Sequence, residues 1–269
     1  VEKWKESKKS YKRPTRPSRP KTLACEEGIE DLYGNLPASW RWTKFCNVTY
    51  KIGDVDHKMP NDFPGGLPYL STGNLNADGT IEFESAKTIS RDDFERLSVK
   101  IKPEKGDIIF PRYGTIGRNV LVNFDREFLV SYSCAIIKNI GTLMNEKYAY
   151  YYSLSPVIKK EISRYTVQTT QANIGLASIE SFVFPLCSRL EQDQIVEEIE
   201  SRLSVCDNVL TNIEQGLEKA EALRQSILKK AFEGELLGEA ELSVCRKKPD
   251  WGAAEKLLKR IKQQRNETI

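Results

Sequence analysis

The feature that most constrains this sequence is a regular spacing of apolar residues in its later part. They fall alternately three and four positions apart, at Val196, Ile199, Leu203, Cys206, Leu210, Ile213, Leu217 and Ala220. This is the 3.5-residue period of a coiled coil, and after a shift at Ala220 it continues through Leu223, Ile227 and Ala231. Within residues 189–237 we expect one helix of about 43 residues, roughly 65 Å long at the rise of an α-helix. Gly234 and Gly238 mark its predicted end.

Such a helix cannot bury an apolar stripe by itself, because the stripe needs a facing surface. We define the seam as nine residues of this stripe: Val196, Ile199, Leu203, Cys206, Leu210, Ile213, Leu217, Leu223 and Ile227. We expect the seam to contact an equivalent helix, either from another part of a longer parent chain or from a second copy.

Residues 36–188 have a different pattern, which predicts one α+β domain. Short apolar runs of strand length are separated by turn residues, at Leu67–Leu70, Ile108–Phe110, Asn119–Val122, Phe128–Val130 and Ala135–Ile137. Helices are expected at Arg91–Leu97, after the cap residue Ser90, and at Asn145–Leu154. Asp78-Gly79 predicts a turn. The tail, residues 238–269, should contain a short amphipathic helix at about 252–265.

Residues 1–35 read as a basic, extended arm. Three prolines block continuous helix in this segment, and residues 1–21 hold nine Lys or Arg against Glu2 and Glu6. Two interpretations stay open for the arm: a segment that contacts phosphates, or a solvated linker.

The sequence contains no recognisable catalytic pattern. His57, the only histidine, lies in a polar loop and is interpreted as an exposed loop residue. Phosphate-loop, dinucleotide, aminomethyltransferase and PD…E-x-K nuclease motifs are absent from the sequence. The six cysteines form no C-x-x-C pair, and no stretch approaches the ~20 apolar residues of a membrane helix. We therefore expect no cofactor, no metal, no membrane contact and a cytoplasmic location.

Three polar runs in the domain favour nucleic-acid binding. Arg can bridge guanine or grip phosphate, Asn and Gln suit adenine, and Tyr, Ser and Thr reach phosphates and base edges. The candidate residues are Tyr69, Ser71, Thr72 and Asn74 in the first run, Arg112, Tyr113, Thr115 and Arg118 in the second, and Thr166, Gln168, Thr169, Thr170, Gln171 and Asn173 in the third.

The order of motifs along the chain closely resembles the specificity subunit of type I restriction-modification systems. The most specific match is the run Glu221–Leu236, which reads E-A-L-R-Q-S-I-L-K-K-A-F-E-G-E-L. Cys187-Ser188-Arg189 stands where that family usually has Pro-Pro before the helix. The other matching segments are Leu36-Pro37-x-x-Trp40, Pro68–Leu75, Gly106–Ile109, Arg112–Gly117, Thr170–Ile174 and Pro185–Val196.

The resemblance implies a DNA-reading subunit that has no catalytic centre. In that family each half pairs a target recognition domain with a long helix, and two such helices pack antiparallel to set the distance between half-sites. The implied partners are double-stranded DNA, methyltransferase subunits that carry S-adenosylmethionine, and a restriction subunit with motor and nuclease activities. The chain resembles one period of a two-period protein, and we expect the C-terminal half; a natural half-subunit that dimerises through its helix is the alternative.

Two other functions stay open at this point. One is the DNA-recognition domain of a fused methyltransferase or restriction enzyme, which would need a catalytic domain elsewhere in the parent gene. The other is a coiled-coil interaction protein whose α+β domain binds protein. Affinity for DNA that falls linearly with log salt would argue against the second.

Overall fold

The computed structural model describes residues 29, 33–166, 172–249 and 251–267. They divide into two compact units between Ile199 and Glu200, within a long helix. The first unit contains strands β1 (Arg41–Lys44), β2 (Thr49–Gly53), β3 (Leu67–Leu70), β4 (Lys87–Ile89), β5 (Ile108–Pro111), β6 (Val120–Leu121), β7 (Leu129–Val130), β8 (Cys134–Asn139) and β9 (Val183–Leu186). Its helices are α1 (Arg91–Ser98), α2 (Glu146–Ser153), α3 (Pro156–Tyr165) and α4 (Leu176–Ser181). The long helix α5 (Arg189–Glu233) begins in the first unit, and α6 (Glu239–Arg246) and α7 (Ala254–Glu267) belong to the second.

The centre of the first unit is an antiparallel sheet with the strand order β2-β8-β5-β6. Successive side chains of a strand point to opposite faces. Accordingly Ile108 and Phe110 of β5 pack into one hydrophobic cluster, and Ile109 packs into another. All four residues of β5 are buried. The sheet is therefore covered on both faces, which explains why β5 and β8 are almost continuously apolar.

Different elements cover the two faces of this sheet. Helices α2, α3 and α4 contribute Tyr148, Ile158 and Ile179 to the first cluster. Helix α1 contributes Leu97 to the second cluster, together with a three-stranded sheet of order β4-β3-β7 that contributes Leu70 and other residues. This mixture of short antiparallel strands with separate helices confirms the α+β fold predicted from the sequence.

Elements with a strong local pattern occur where the sequence predicts them. Strand β3 has the predicted bounds, and Ser90 caps α1 by accepting a hydrogen bond from the Asp93 amide at 3.2 Å. The predicted turn at Asp78-Gly79 is present, since Gly79 has a φ of +83° and Leu75 bridges Ile81 in antiparallel fashion. Helix α2 starts after its cap Asn145.

Other elements of the first unit were not predicted. Strands β1 and β9 pair antiparallel, with Arg41 opposite Leu186, and neither shows a clear alternating pattern. Helix α3 is capped by Ser155, whose hydroxyl accepts from the Ile158 amide at 3.3 Å. The end of the predicted irregular arm also differs from expectation, because Ile29 and Tyr33 are helical and pack near Trp42. Residues 1–28 and 30–32 of the arm lie outside the described part of the chain.

Helix α5 confirms the long helix expected from the seam and runs for 45 residues. Ser188 and Glu191 form a reciprocal cap at its start: the Ser188 hydroxyl accepts from the Glu191 amide at 3.3 Å, and the Glu191 carboxylate accepts from the Ser188 amide at 3.0 Å. Gly234, with a φ of +79°, ends the helix. Gly238, predicted as part of that end, instead caps α6. The serine of this cap, Ser188, belongs to the Cys187-Ser188-Arg189 segment that stands in place of the usual Pro-Pro.

The first turns of α5 are fixed to the domain. Gln192 is buried, its side-chain amide donates to the Cys187 carbonyl at 3.0 Å, and its oxygen accepts from the Asn145 amide at 2.9 Å. Val196, the first residue of the seam, is buried in the cluster that contains Tyr148. The helix therefore starts at a defined position on the domain.

Within the second unit, the seam is open to solvent. Its large apolar side chains are between 46% and 71% exposed, and Cys206 is exposed as well. These apolar residues are Leu203, Leu210, Ile213, Leu217, Leu223 and Ile227. Helix α7 matches the predicted tail helix to within two residues at each end, and its apolar residues Leu257, Leu258 and Ile261 are also exposed.

Candidate nucleic-acid interface

The structure brings the three polar runs together. The first follows β3, the second follows β5, and the third follows α3. The Thr115 hydroxyl of the second run donates to the Thr72 carbonyl of the first at 3.5 Å. The second and third runs form a β-bridge between Tyr113 and Asn173, and the Gly114 amide donates to the Ala172 carbonyl at 3.3 Å. The described parts of these runs, which are distant in sequence, thus contact one another and together form a polar surface.

The candidate side chains fall into three groups. Those with solvent access are Ser71, Thr72, Tyr113, Thr115, Arg118, Thr166 and Asn173. Those that are buried are Tyr69, Asn74 and Arg112. Four further candidates lie outside the described residues, namely Gln168, Thr169, Thr170 and Gln171.

Arg112 differs most from expectation. Its guanidinium donates from Nη1 to the Asp54 carboxylate at 2.5 Å and from Nε to the Ile174 carbonyl at 3.1 Å. The same group lies 5.6 Å from the Tyr113 ring centroid, and its side chain is only 9% exposed. A guanidinium that is buried to this extent and already bonded to interior acceptors presents little of its surface to a base edge. Arg112, predicted as a DNA contact, is therefore bonded into the domain and positions the loop.

The partner of Arg112 has further basic side chains around it. Asp54 is 3% exposed and lies 2.7 Å from the Lys100 ammonium, and its other oxygen lies 3.8 Å from His57 Nε2. A buried carboxylate is tolerated only when it is paired and hydrogen-bonded. Because Arg112 also donates to the Tyr132 carbonyl at 3.4 Å, this network joins the loop that follows β2 to the loops that follow β5 and β7.

Asn74 also has a structural role. Its side-chain oxygen accepts from the Ser71 amide at 2.8 Å and from the Ser71 hydroxyl at 3.0 Å. Its amide group donates to the Ser85 hydroxyl at 3.3 Å. These bonds fix the short 3-10 turn Thr72–Asn74, which presents Ser71 and Thr72 to solvent.

The loop of the second run depends on glycine. Gly114 and Gly117 have φ values of +66° and +90°, in the left-handed region that side chains other than glycine rarely adopt. The Arg118 amide donates to the Thr115 carbonyl at 3.2 Å and closes the turn. As a result Arg118 is exposed, in contrast to Arg112.

Two aromatic rings at this surface, those of His57 and Tyr132, were not among the residues predicted from the sequence. The imidazole of His57 stacks on Tyr132 with a centroid separation of 4.5 Å. Tyr113 meets the same tyrosine ring edge-on at 6.2 Å. The run Ser131-Tyr132-Ser133 directly after the apolar Phe128–Val130 was a polar signal of the same kind as the others. His57 is exposed, as expected, but it belongs to the candidate interface.

The rest of the described chain offers no competing chemical centre. No group of His, Cys, Asp and Glu among the described residues could hold a metal ion. Over the same residues, no helix combines the length and apolarity that a membrane span requires. Among the described residues, the polar surface of the three loops is the most distinctive feature of the α+β domain.

Comparison with known proteins defines the family. The model described as "Type I restriction modification DNA specificity domain" matches residues 43–221. This range is more than half of the chain and includes both the polar surface and most of α5. The chain therefore belongs to the family of type I restriction-modification DNA specificity proteins, as the sequence motifs predicted.

Individual relatives agree with this assignment. The chain is 25% identical over 217 residues to the type I restriction enzyme EcoBI specificity subunit of Escherichia coli, an alignment that covers 80% of this chain and 43% of that subunit. It is 24% identical over 215 residues to the StySPI specificity subunit of Salmonella potsdam, covering 76% of this chain and 44% of the relative. The chain thus spans less than half the length of these curated relatives.

One solved structure shows the same fold. A chain from work on complex assembly and conformational transition of the type I R-M system matches with a TM-score of 0.51 and 20% identity. The match covers 75% of this chain and 48% of that one. At this level of identity the similarity supports the fold alone.

Proposed function

We propose that this chain reads one half of a bipartite double-stranded DNA target and has no catalytic activity of its own. The polar surface formed by the three loops contacts the major groove. Methyltransferase subunits modify adenine, and a restriction subunit cleaves, after the chain has recruited them to the target. This proposal places the protein in the cytoplasm, together with its DNA.

The observation that carries the proposal is the direct connection of the three loops. Specific reading of DNA needs several hydrogen-bonding side chains held in a fixed arrangement on one surface. The Thr115–Thr72 hydrogen bond and the Tyr113–Asn173 bridge supply that arrangement. The buried Arg112–Asp54 pair makes it rigid.

We further propose that the seam on α5 pairs antiparallel with an equivalent helix. Apolar residues that are spaced as a coiled-coil stripe and remain about half exposed or more need a facing helix. The partner helix belongs to the other half of a longer parent protein or to a second copy of this chain. Such a pair would set the distance between two half-sites and form the surface that binds methyltransferase subunits.

The proposal is tested by mapping methylated sites in cells that carry the parent operon. In a matched strain, residues 36–188 are replaced by the corresponding domain of another specificity protein, while the helix is kept. We expect one half of the methylated sequence to change and the other half and the spacing to remain. An unchanged methylation pattern would contradict the assignment of sequence reading to this domain.

A further inference from the structure

A cleft of about 530 Å³ lies beside the three loops, between β3, β4 and the turn that precedes β8. Its lining includes the hydroxyl-bearing residues Tyr69, Ser71, Ser85, Ser131 and Ser133 and the ammonium-bearing Lys87. None of the described residues that line it is acidic. The cleft therefore offers hydrogen-bond donors and positive charge, which suit an anionic ligand.

The hydroxyl group of Tyr69 is the unusual element of this cleft. The residue is 3% exposed, and among the described residues its hydroxyl is a buried group that has no hydrogen-bond partner. Burial, together with the nearby Cys134 and Tyr132, raises the pKa of Tyr69 to about 12. The group is thus a protonated donor at neutral pH. A buried donor without an acceptor costs about 1–3 kcal/mol, and a ligand oxygen would remove that cost.

The other polar groups that line the cleft are oriented by interactions of their own. Ser131 and Ser133 share a short hydrogen bond, and the Ser71 hydroxyl is oriented by Asn74 at 3.0 Å. The Lys87 ammonium lies 3.3 Å from Asp62, whose side chain is 74% exposed. An ion pair with such an exposed carboxylate contributes little to stability. An anion in the cleft can therefore replace Asp62 as the partner of Lys87.

We propose that this cleft binds a phosphodiester of the DNA backbone, with Tyr69 and Lys87 as its principal donors. Tyr, Ser and Lys side chains are common phosphate ligands, and phosphate contacts fix the position of a protein on the duplex without reading its sequence. Because Ser71 and Tyr132 belong both to the cleft and to the polar surface, a phosphate bound here sets the position of the adjacent base-reading loops. This inference rests on the proposed function.

The test uses the full chain assembled with its methyltransferase subunits and titrated, at several salt concentrations, with several duplex DNAs of different defined sequence. The variants are Tyr69→Phe and Lys87→Gln. Tyr50→Phe, at a residue that is 78% exposed, and Lys105→Gln, which breaks a comparable surface pair with Asp125 at 3.8 Å, are the matched controls. Thermal unfolding of each variant is measured in parallel.

We expect Lys87→Gln to reduce the slope of log affinity against log salt by about 0.9, the loss of one phosphate contact. Tyr69→Phe should weaken DNA binding about tenfold, as expected for a lost hydrogen bond to a charged group, with the slope unchanged. Its unfolding temperature should stay the same or rise, because an unsatisfied buried hydroxyl has been removed. A merely structural tyrosine would not combine weaker binding with unreduced stability.

Three results would overturn the inference. One is wild-type affinity and salt slope in both variants. Another is a loss that depends on the DNA sequence, which would indicate a base-edge contact in place of a phosphate. The third is a wild-type complex with no salt-dependent affinity for duplex DNA, which would also overturn the proposed function.

Discussion

Arg112 and Arg118 belong to the same loop but have different environments. Arg112 is paired with the buried Asp54, and Arg118 is exposed. The local sequence could not show which of the two arginines is buried. Asp54, the residue that pairs with Arg112, lies 58 positions earlier in the chain. The local pattern therefore identified the loop correctly as polar and exposed in part, but it could not show which arginine faces outward.

This difference predicts opposite effects for two matched substitutions. Arg112→Met should lower the free energy of unfolding by about 3 kcal/mol, because it leaves a buried carboxylate with only Lys100 and His57 nearby. Arg118→Met should change it by less than about 0.5 kcal/mol, as is usual for an exposed site. Urea unfolding of both variants measures these values.

For DNA binding we expect the larger effect at Arg118, the exposed arginine of the loop. Arg118→Met is expected to weaken specific binding of the assembled complex by about 1–3 kcal/mol if it contacts a base. Equal stability losses in the two variants, or specific binding unaffected by Arg118→Met, would contradict these roles.

Among the structural elements, those defined by near neighbours were predictable from sequence. The apolar spacing of the seam predicted α5, and the cap residues predicted α1 and α2. Each of these patterns consists of residues only a few positions apart in the sequence. Strands β1 and β9 were not predictable, because each is stabilised by pairing with the other, and the two are separated in sequence by most of the domain. The contact between the polar loops was equally hidden, since it depends on the packing of several distant elements.

The cysteines provide a direct measure of whether the seam is paired. Cys206 lies on the seam and Cys245 in α6, and both are exposed. Cys134 is buried, and burial raises the pKa of its thiol to about 12, so it should react only on unfolding. In the assembled complex, we expect a maleimide to label Cys206 much more slowly than Cys245, as measured by peptide mass spectrometry.

A pair of variants shows whether the protection comes from helix pairing. The double substitution Leu210→Glu and Leu217→Glu introduces charge into the seam and should restore rapid labelling of Cys206. Gln215→Glu adds a comparable charge on the opposite face of the helix and should leave the protection unchanged. Equal labelling rates for Cys206 and Cys245 in the wild-type complex would show that the seam is not covered.

For the molecule as a whole, buried tyrosines link stability to alkaline pH. Tyr148 and Tyr152 donate to the carbonyls of Pro185 and Val183, each at 2.8 Å. Burial is the main cause that raises the pKa of both phenols. Burial likewise raises the pKa of Tyr69 to about 12. These phenols remain protonated in the folded state at a pH where they ionise in the unfolded chain.

The sign of the pH dependence follows from proton binding. Above the usual tyrosine pKa of about 10 the folded state holds more protons than the unfolded state, so the free energy of unfolding falls as pH rises. Each such tyrosine should contribute up to about 1.4 kcal/mol per pH unit, as measured by urea unfolding between neutral and alkaline pH. Tyr152→Phe should make this decline less steep, and Tyr50→Phe should not; a pH dependence that is the same for both variants would contradict the role of burial.

The burial of Arg112 and Asn74 has a consequence for how such a protein can acquire a new target. The side chains that hold the loops in place are not the ones that face outward, such as Ser71, Tyr113 and Arg118. If the chain reads DNA as proposed, exchange of the outward side chains should alter the preferred sequence while the loop geometry is preserved. Libraries that vary only the outward residues should yield many folded proteins with different targets, whereas variation of Arg112 or Asn74 should mostly yield unfolded ones.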